Sequence, residues 1–244
     1  MRRGAALLVA LLATLPALAQ PAAPAAAPLP ALAPNCPPRG QPVVRVRIND
    51  PEPQILRPLP AAELQVLARQ PDAKAAEVPG HTHHLGLTLS RVEWRSEITV
   101  RSQGRIEGPV CAVPVELRLT LLHAEHAIRL ARELPRGGCL AQEVLAHERR
   151  HVAVNRRTLR EAGTALGSAA RRWAARAEAR AVDVATAAAA LQDDLETAVE
   201  PVLARLRAAR DAGHAAIDTP AEYARLGRVC PTDQRRLRGV FSAS

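Results

Sequence analysis

The hydrophobic periodicity of the chain changes once, near residue 139, and this change constrains the fold more than any other feature. From Val43 to about Glu133 apolar and polar residues alternate, as in Val113–Leu121, which is typical of half-buried strands. From Leu140 to about Ala216 the pattern is helical and rich in Ala, Leu, Arg and Glu. Strands followed by long helices predict an α+β fold, with a small antiparallel β-sheet ahead of the helices.

Turn residues divide the strand region. The alternation at Val113–Leu121 is followed by polar residues at His123–Glu125, which predict a hairpin turn, and His126–Leu130 then forms the partner strand. We expect His123 and His126 to flank this turn and to be exposed. A short helix is predicted at Ala61–Arg69.

The first residues of the chain have the pattern of a secretory signal peptide. Arg2 and Arg3 precede the apolar run Ala5–Leu15, and Ala17-Leu18-Ala19 fits a small-x-small cleavage site. We therefore predict a signal peptide at 1–19 and a periplasmic or secreted protein. No later apolar stretch is long enough for a transmembrane segment.

Composition divides the exported chain. Residues 20–41 are rich in Ala and Pro and predict a linker. We expect one domain at 42–230, β-rich over 42–138 and helical over 139–230, with a tail at 231–244. Gly163, Gly167 and Pro201 are the main interruptions of the helical pattern.

The chain holds four cysteines: Cys36, Cys111, Cys139 and Cys230. An even number in an oxidising compartment predicts two disulfides, and the sequence does not choose among the three possible pairings.

The net charge and the aromatic content limit the kinds of molecule that the protein is expected to bind. The formal net charge is +9, but only 2% of residues are aromatic. Because single-stranded nucleic acids are held by stacking on aromatic rings, we expect no nucleic-acid partner. A solvated basic surface explains the charge, including the arginines around residue 150.

One motif carries chemistry. Residues 147–151 read His-Glu-Arg-Arg-His, an HExxH match within the predicted helix. Because positions i and i+4 share a helix face, His147 and His151 can bind one zinc ion. Glu148 is then placed to act as general base toward a water that zinc activates. The alternative is an exposed helix whose His and Glu are surface residues.

The stretch Cys139–Asn155 resembles small secreted bacterial proteins identified as zincin-like, predicted zinc-dependent proteases. The resemblance implies a signal peptide, a β-rich N-terminal half, an HExxH helix, a zinc cofactor and a peptide or protein substrate. It also implies an Asp/Thr-containing segment near the C-terminus, to which Ile217–Tyr223 is similar. The two arginines inside the motif depart from the usual zincin pattern.

The third metal ligand has to come from another element. If the chain reverses at Gly163–Gly167, Glu178 and Asp183 return level with the motif. If the first helix instead reverses near residue 182, the segment holding His214, Asp218 and Glu222 returns. The resemblance favours the second arrangement, and we predict Glu222 as the third ligand, followed by Asp183 and His214.

Residues His81-Thr82-His83-His84 form a second histidine-rich stretch. Such tracts can bind metal, but on a glycine-bounded loop we expect them to be solvent-exposed.

The sequence thus predicts a secreted zinc metallohydrolase of undetermined oligomeric state, and the resemblance implies that it is a peptidase. The alternative is a non-enzymatic periplasmic envelope or interaction protein, with a helical arm and a degenerate metal site.

Overall fold

A computed structural model describes residues 35–69, 84–104 and 108–242. The predicted signal peptide, most of the linker and the histidines His81 and His83 lie outside these residues. The described part combines strands and helices, which confirms the mixed α+β class. Its elements are β1 Val43–Asn49, β2 Gln54–Leu56, α1 Ala61–Ala68, β3 Gly86–Gly104, β4 Val110–Leu130, α2 Cys139–Ala174, β5 Ala179–Ala181, α3 Val184–Ala215, α4 Pro220–Arg228 and α5 Pro231–Ser242.

The sheet is built around β4. Strand β3 pairs with it antiparallel along nearly its whole length, from Gly86 opposite Leu130 to Gly104 opposite Val110. The other edge of β4 is shared by three short strands: β1 and β2 run parallel to it, and β5 runs antiparallel. The expected antiparallel sheet is therefore wrong. Alternation reveals a strand but not its direction, and the long connection from β1 to β4 permits a parallel pairing.

Strand β4 is continuous through the predicted hairpin turn. Arg91 lies opposite Glu125 and Val92 opposite His123, so Ala124 is an extra residue, a β-bulge. The bulge reverses the parity of the buried side chains, from Leu117, Leu119 and Leu121 before it to Ile128 and Leu130 after it. The polar residues that suggest a turn mark this bulge instead.

The predicted interruptions at Gly163 and Gly167 do not end α2. A Cβ atom on Gly163 would lie 2.4 Å from Ile48 Cδ1, and one on Gly167 would lie 3.4 Å from Val46 Cγ2. These glycines are the places where β1 packs closely against the helix. Pro201 likewise lies inside α3 without ending it.

Helix α2 therefore continues to Ala174, and α3 runs back along it. Leu191, Leu195, Val199 and Leu206 form a buried stripe on α3 that packs with the sheet and α2 in the larger core cluster. Between the two helices, Trp173 donates from Nε1 to Asp194 Oδ2 at 2.8 Å. This is the second of the two chain reversals considered above.

The four cysteines form two disulfides, as predicted, with the pairing Cys36–Cys111 and Cys139–Cys230. The first ties the end of the linker region to β4. The second joins the start of α2 to Cys230, in the two-residue connection between α4 and α5.

The segment expected as a C-terminal tail forms α5. Its Leu237 is buried in a second core cluster with Leu140 and Val144 of α2. Gly138, the N-cap of α2, has no side chain, and Asp233 of α5 accepts the Leu140 N–H at 2.9 Å. The disulfide and this cap fix α4 and α5 against the start of α2, which positions the segment between α3 and α4.

None of the helices formed by the described residues is both long and apolar enough to cross a membrane.

Candidate metal centre

The histidines and the glutamate of the motif lie on the buried face of α2. His147, Glu148 and His151 are 4%, 5% and 7% exposed. This excludes the alternative in which the motif is an exposed helix surface. Arg149 and Arg150, the residues that depart from the zincin pattern, are exposed. Arg150 nevertheless reaches the edge of the site, where its Nη2 atom lies 3.0 Å from His147 Nδ1 and pairs with Glu222.

Three potential ligand atoms converge above this face. Asp218 Oδ1 lies 3.1 Å from His147 Nε2 and 3.2 Å from His151 Nε2, and the two Nε2 atoms are 3.2 Å apart. Bonds of 2.0–2.1 Å to a tetrahedral zinc ion place ligand atoms about 3.3 Å apart. The spacing of these atoms therefore fits one small tetrahedral ion. We refer to His147, His151 and Asp218 as the α2 cluster.

Asp218 reaches the site from the turn between α3 and α4. The next residue, Thr219, is the N-cap of α4 and accepts the Glu222 N–H through its hydroxyl at 3.2 Å, with Pro220 in the first turn. This cap begins a new helix directly after Asp218 and leaves the Asp218 carboxylate directed at α2.

Glu222, the third ligand predicted from the sequence, lies on the other side of the His147 ring. Its Oε1 is 3.3 Å from His147 Nδ1. The carboxylate is also paired with Arg225, at 2.9 Å, and with Arg150. The hydrogen bond from Arg225, which outweighs partial burial, lowers the pKa of Glu222 to about 2. A carboxylate held by two guanidinium groups has less negative charge to offer a metal ion.

The other candidate ligands predicted from the sequence do not lie beside the two Nε2 atoms. Asp183 caps α3 by accepting the Thr186 N–H at 2.7 Å, and Glu178 pairs with Arg39. His214 is in the site but lies behind His151, at 2.7 Å between the two Nδ1 atoms. The sequence places Asp218 in the returning segment, yet nothing in it ranks Asp218 above Glu222.

A polar chain behind His151 defines which of its nitrogens carries the proton. Arg210 Nε, which can only donate, lies 3.2 Å from Asn155 Oδ1, so this oxygen accepts. His214 Nε2 then donates to the same oxygen at 3.0 Å, which leaves His214 Nδ1 as acceptor for His151 Nδ1–H. His151 Nε2 is left with a lone pair facing Asp218.

The pKa of His214 agrees with that assignment of the protons. Burial, aided by the nearby His151 and Arg210, lowers the pKa of His214 to about 4, so the ring is neutral near pH 7. A metal-binding histidine normally donates its second ring N–H to a fixed acceptor. Asn155 and His214 supply this arrangement, and the HExxH pattern contains no signal for either.

Glu148 is held at the side of the site by the beginning of β3. Thr88 Oγ1 donates to Glu148 Oε2 at 2.7 Å. A Cβ atom on Gly86 would lie 2.6 Å from Glu148 Oε1, so only glycine lets β3 pass this close to the helix. Burial raises the pKa of Glu148 even though both motif histidines and Thr88 oppose the shift. A carboxylate with a raised pKa is suited to taking and returning a proton near neutral pH.

The contacts within the α2 cluster shift the pKa values of His147 and Asp218. Burial lowers the pKa of His147, but the hydrogen bond to Asp218 and the charge of Glu148 more than reverse this, so the net shift is upward. Burial raises the pKa of Asp218, but its contacts with both histidines lower it well below the usual range. A proton and a metal ion would therefore compete for these atoms.

A small cavity of about 40 Å³ opens onto these groups between the start of β3, α2 and the start of α4. Tyr223 on its wall donates its hydroxyl to Asp218 Oδ1 at 3.0 Å. Burial raises the pKa of Tyr223, so the hydroxyl keeps its proton. The volume exceeds what one water needs and leaves room for an ion with a small group beside it. His84, from the histidine-rich stretch, also lines the cavity.

The exposure expected for His123 and His126 is wrong. They are 4% and 6% exposed, because the turn that would have carried them to the surface is a bulge in a continuous strand.

Comparison with protein families, curated proteins and solved structures gives no match. The zincin-like family therefore stays a prediction that depends on the motif.

Proposed function

We propose that the protein is an exported zinc metallohydrolase of the zincin type, most simply a peptidase. The observation that carries the proposal is the convergence of His147 Nε2, His151 Nε2 and Asp218 Oδ1 beside a buried glutamate. Three protein ligands leave a fourth tetrahedral position open, which distinguishes catalytic from structural zinc sites. Asp218, rather than the sequence-predicted Glu222, would be the third ligand.

Zinc bound there would supply a Lewis acid that polarises a carbonyl group and makes water a better nucleophile. Glu148 would accept the proton of the attacking water and deliver it to the leaving group. Thr88 orients Glu148 through the 2.7 Å hydrogen bond, which leaves Oε1 available for that transfer. Glu222, whose Oε1 atom lies 3.3 Å from His147 Nδ1, would orient that ring.

A peptide substrate is supported by the edge of β3. Among the described strands, β3 pairs only with β4, and its first residues Gly86–Thr88 line the cavity. A strand edge offers backbone donors and acceptors to an extended peptide, which would carry a scissile bond past Glu148. Export is supported by the two disulfides, which are typical of oxidising compartments.

The test is hydrolysis of an unstructured protein by the zinc-loaded enzyme, comparing wild type with Glu148→Gln. The variant keeps the size of the side chain and removes the base, so activity should fall about 10²–10⁴-fold while bound zinc is unchanged. A matched control is Glu161→Gln, which changes an exposed carboxylate on the same helix and should leave activity unaltered. Full activity in Glu148→Gln would contradict the proposal, as would absence of zinc from the wild type after loading.

A further inference from the structure

A second pair of buried histidines lies on β4, outside the proposed active site. His123 and His126 are three residues apart, and their ring centroids are separated by 4.3 Å. Residues three apart on a regular strand point to opposite faces. The bulge at Ala124 turns both rings to the same buried face. We refer to His123, His126 and Asp50 as the β4 cluster; one ligand atom from each lies within 4.8 Å of the others.

The Nδ1 atom of each ring already faces a hydrogen-bond acceptor. His126 Nδ1 lies 3.3 Å from the Pro51 carbonyl oxygen, which can only accept, so Nδ1 carries a proton. His123 Nδ1 lies 3.1 Å from Asp50 Oδ1. Asp50 is ionised, because Arg156 binds its other oxygen at 2.9 Å and Arg160 approaches it at 3.3 Å.

The neutral rings therefore present bare lone pairs at Nε2. Burial lowers the pKa of His123 to about 4 and also lowers that of His126, so both rings are neutral near pH 7. Both Nε2 atoms are fully enclosed, and neither has a hydrogen-bond partner among the described residues. The buried Ser90 Oγ is in the same condition, and Ser90 lies directly opposite His126 in the sheet. Enclosing unpaired polar atoms costs free energy, which a bound ligand would offset.

We propose that the Nε2 atoms of His123 and His126 bind a transition-metal ion of the zinc or copper class, with Ser90 Oγ beside it. Imidazole nitrogen is a preferred ligand for these metals. Asp50 and Pro51 accept the second ring protons, which is the arrangement that orients histidine ligands in metal sites. The two acceptors belong to the connection between β1 and β2, so the ion would be structural and would fasten this connection to β4.

This site needs no part of the proposed enzyme, and the two can be tested separately. The first protein is the His147→Ala/His151→Ala variant, which removes two ligands of the α2 cluster. It is freed of metal with a chelator, equilibrated with Co²⁺ or Zn²⁺, and its metal content is measured by elemental mass spectrometry. We expect about one ion per chain, and none after adding His123→Gln/His126→Gln.

A spectroscopic measurement avoids dependence on the folding of the fourfold variant. In the His147→Ala/His151→Ala protein labelled with ¹⁵N-histidine, added Zn²⁺ should shift the Nε2 resonances of His123 and His126 while their Nδ1 atoms remain protonated. No bound ion and no shift would overturn the proposal and leave ordered water as the occupant. Retention of the ion in the fourfold variant would overturn it as well. Failure of the active-site proposal appears elsewhere, as absence of metal from the His123→Gln/His126→Gln protein.

Discussion

The two histidine clusters differ in where the carboxylate stands relative to the rings. In the α2 cluster, Asp218 lies between the two Nε2 atoms and opens onto a cavity. In the β4 cluster, Asp50 accepts from the Nδ1 atom of one ring and is neutralised by arginines. It does not bind either Nε2 atom. The first arrangement places a charged carboxylate beside a cavity, and the second places neutral ring nitrogens in an enclosed site. The position of a carboxylate, more than its presence, thus separates a ligand from an orienting partner.

The sharpest test of this distinction compares Asp218→Ala with Glu222→Gln. Asp218→Ala should abolish stoichiometric zinc in the α2 cluster because it removes one of three ligands. Glu222→Gln removes only a group that orients His147 and should weaken zinc binding about 10–100-fold. Competition titration with a zinc chelator measures both. Greater loss in Glu222→Gln than in Asp218→Ala would restore the ligand assignment made from the sequence.

Removal of the Cys139–Cys230 disulfide should affect the α2 cluster and spare the β4 cluster. The bond closes a separation of 91 residues and holds α4 against α2, so Cys139→Ser/Cys230→Ser should cost about 2–5 kcal/mol in the free energy of unfolding. Denaturant unfolding measures this loss, and metal titration should show weaker binding at the α2 cluster. Cys36→Ser/Cys111→Ser is the matched control, since that bond does not hold Asp218. Equal weakening of the α2 cluster by both pairs would contradict this account.

The hydrogen bond from His151 to His214 predicts a smaller effect on zinc affinity. His214→Ala removes the acceptor of the His151 Nδ1 proton, and zinc affinity at the α2 cluster should fall about 10–100-fold. His214→Gln, which can still accept at that position, should recover part of the loss. If both variants bind zinc like wild type, His214 does not orient His151.

Acid should weaken the metal-free protein through His123. Its folded pKa of about 4 lies below the unfolded value of about 6.5, so the unfolded chain binds more protons between these values. This contribution to stability is present above about pH 6.5 and is lost as the pH falls toward 4, by up to about 1.4 kcal/mol per pH unit. Denaturant unfolding with chelator present should show a shallower pH dependence for His123→Gln than for wild type. Identical slopes would mean that His123 is not buried as a neutral ring.

The features predicted correctly from the sequence are local ones. The i, i+4 spacing of His147 and His151 fixes their common helix face, because it depends only on helix geometry. The existence of two disulfides follows from compartment chemistry, whereas their pairing requires the tertiary fold. Asp218 could not be ranked above Glu222, because Arg150, one of the two arginines that pair with Glu222, comes from a distant part of the chain.

The errors also have physical causes. Gly163 and Gly167 have low helix propensity, but Ile48 occupies the space that a side chain at Gly163 would take and Val46 packs against Gly167, and packing overrides propensity. At His123–Glu125 a bulge and a turn have the same polar signature. The pairing partner that separates them, β3, lies far earlier in the chain.

The bulge at Ala124 also bears on how chains of this kind can diverge. Substitutions along β4 change one side chain at a time, but deleting Ala124 would exchange the inward and outward faces of every residue from Glu125 to Leu130. Ile128 and Leu130 would leave the core, and His126 would leave the face that it shares with His123. Related sequences should therefore accept many replacements between Val110 and Leu130 while keeping the length of this segment fixed. Insertions and deletions should fall in the connections at its ends.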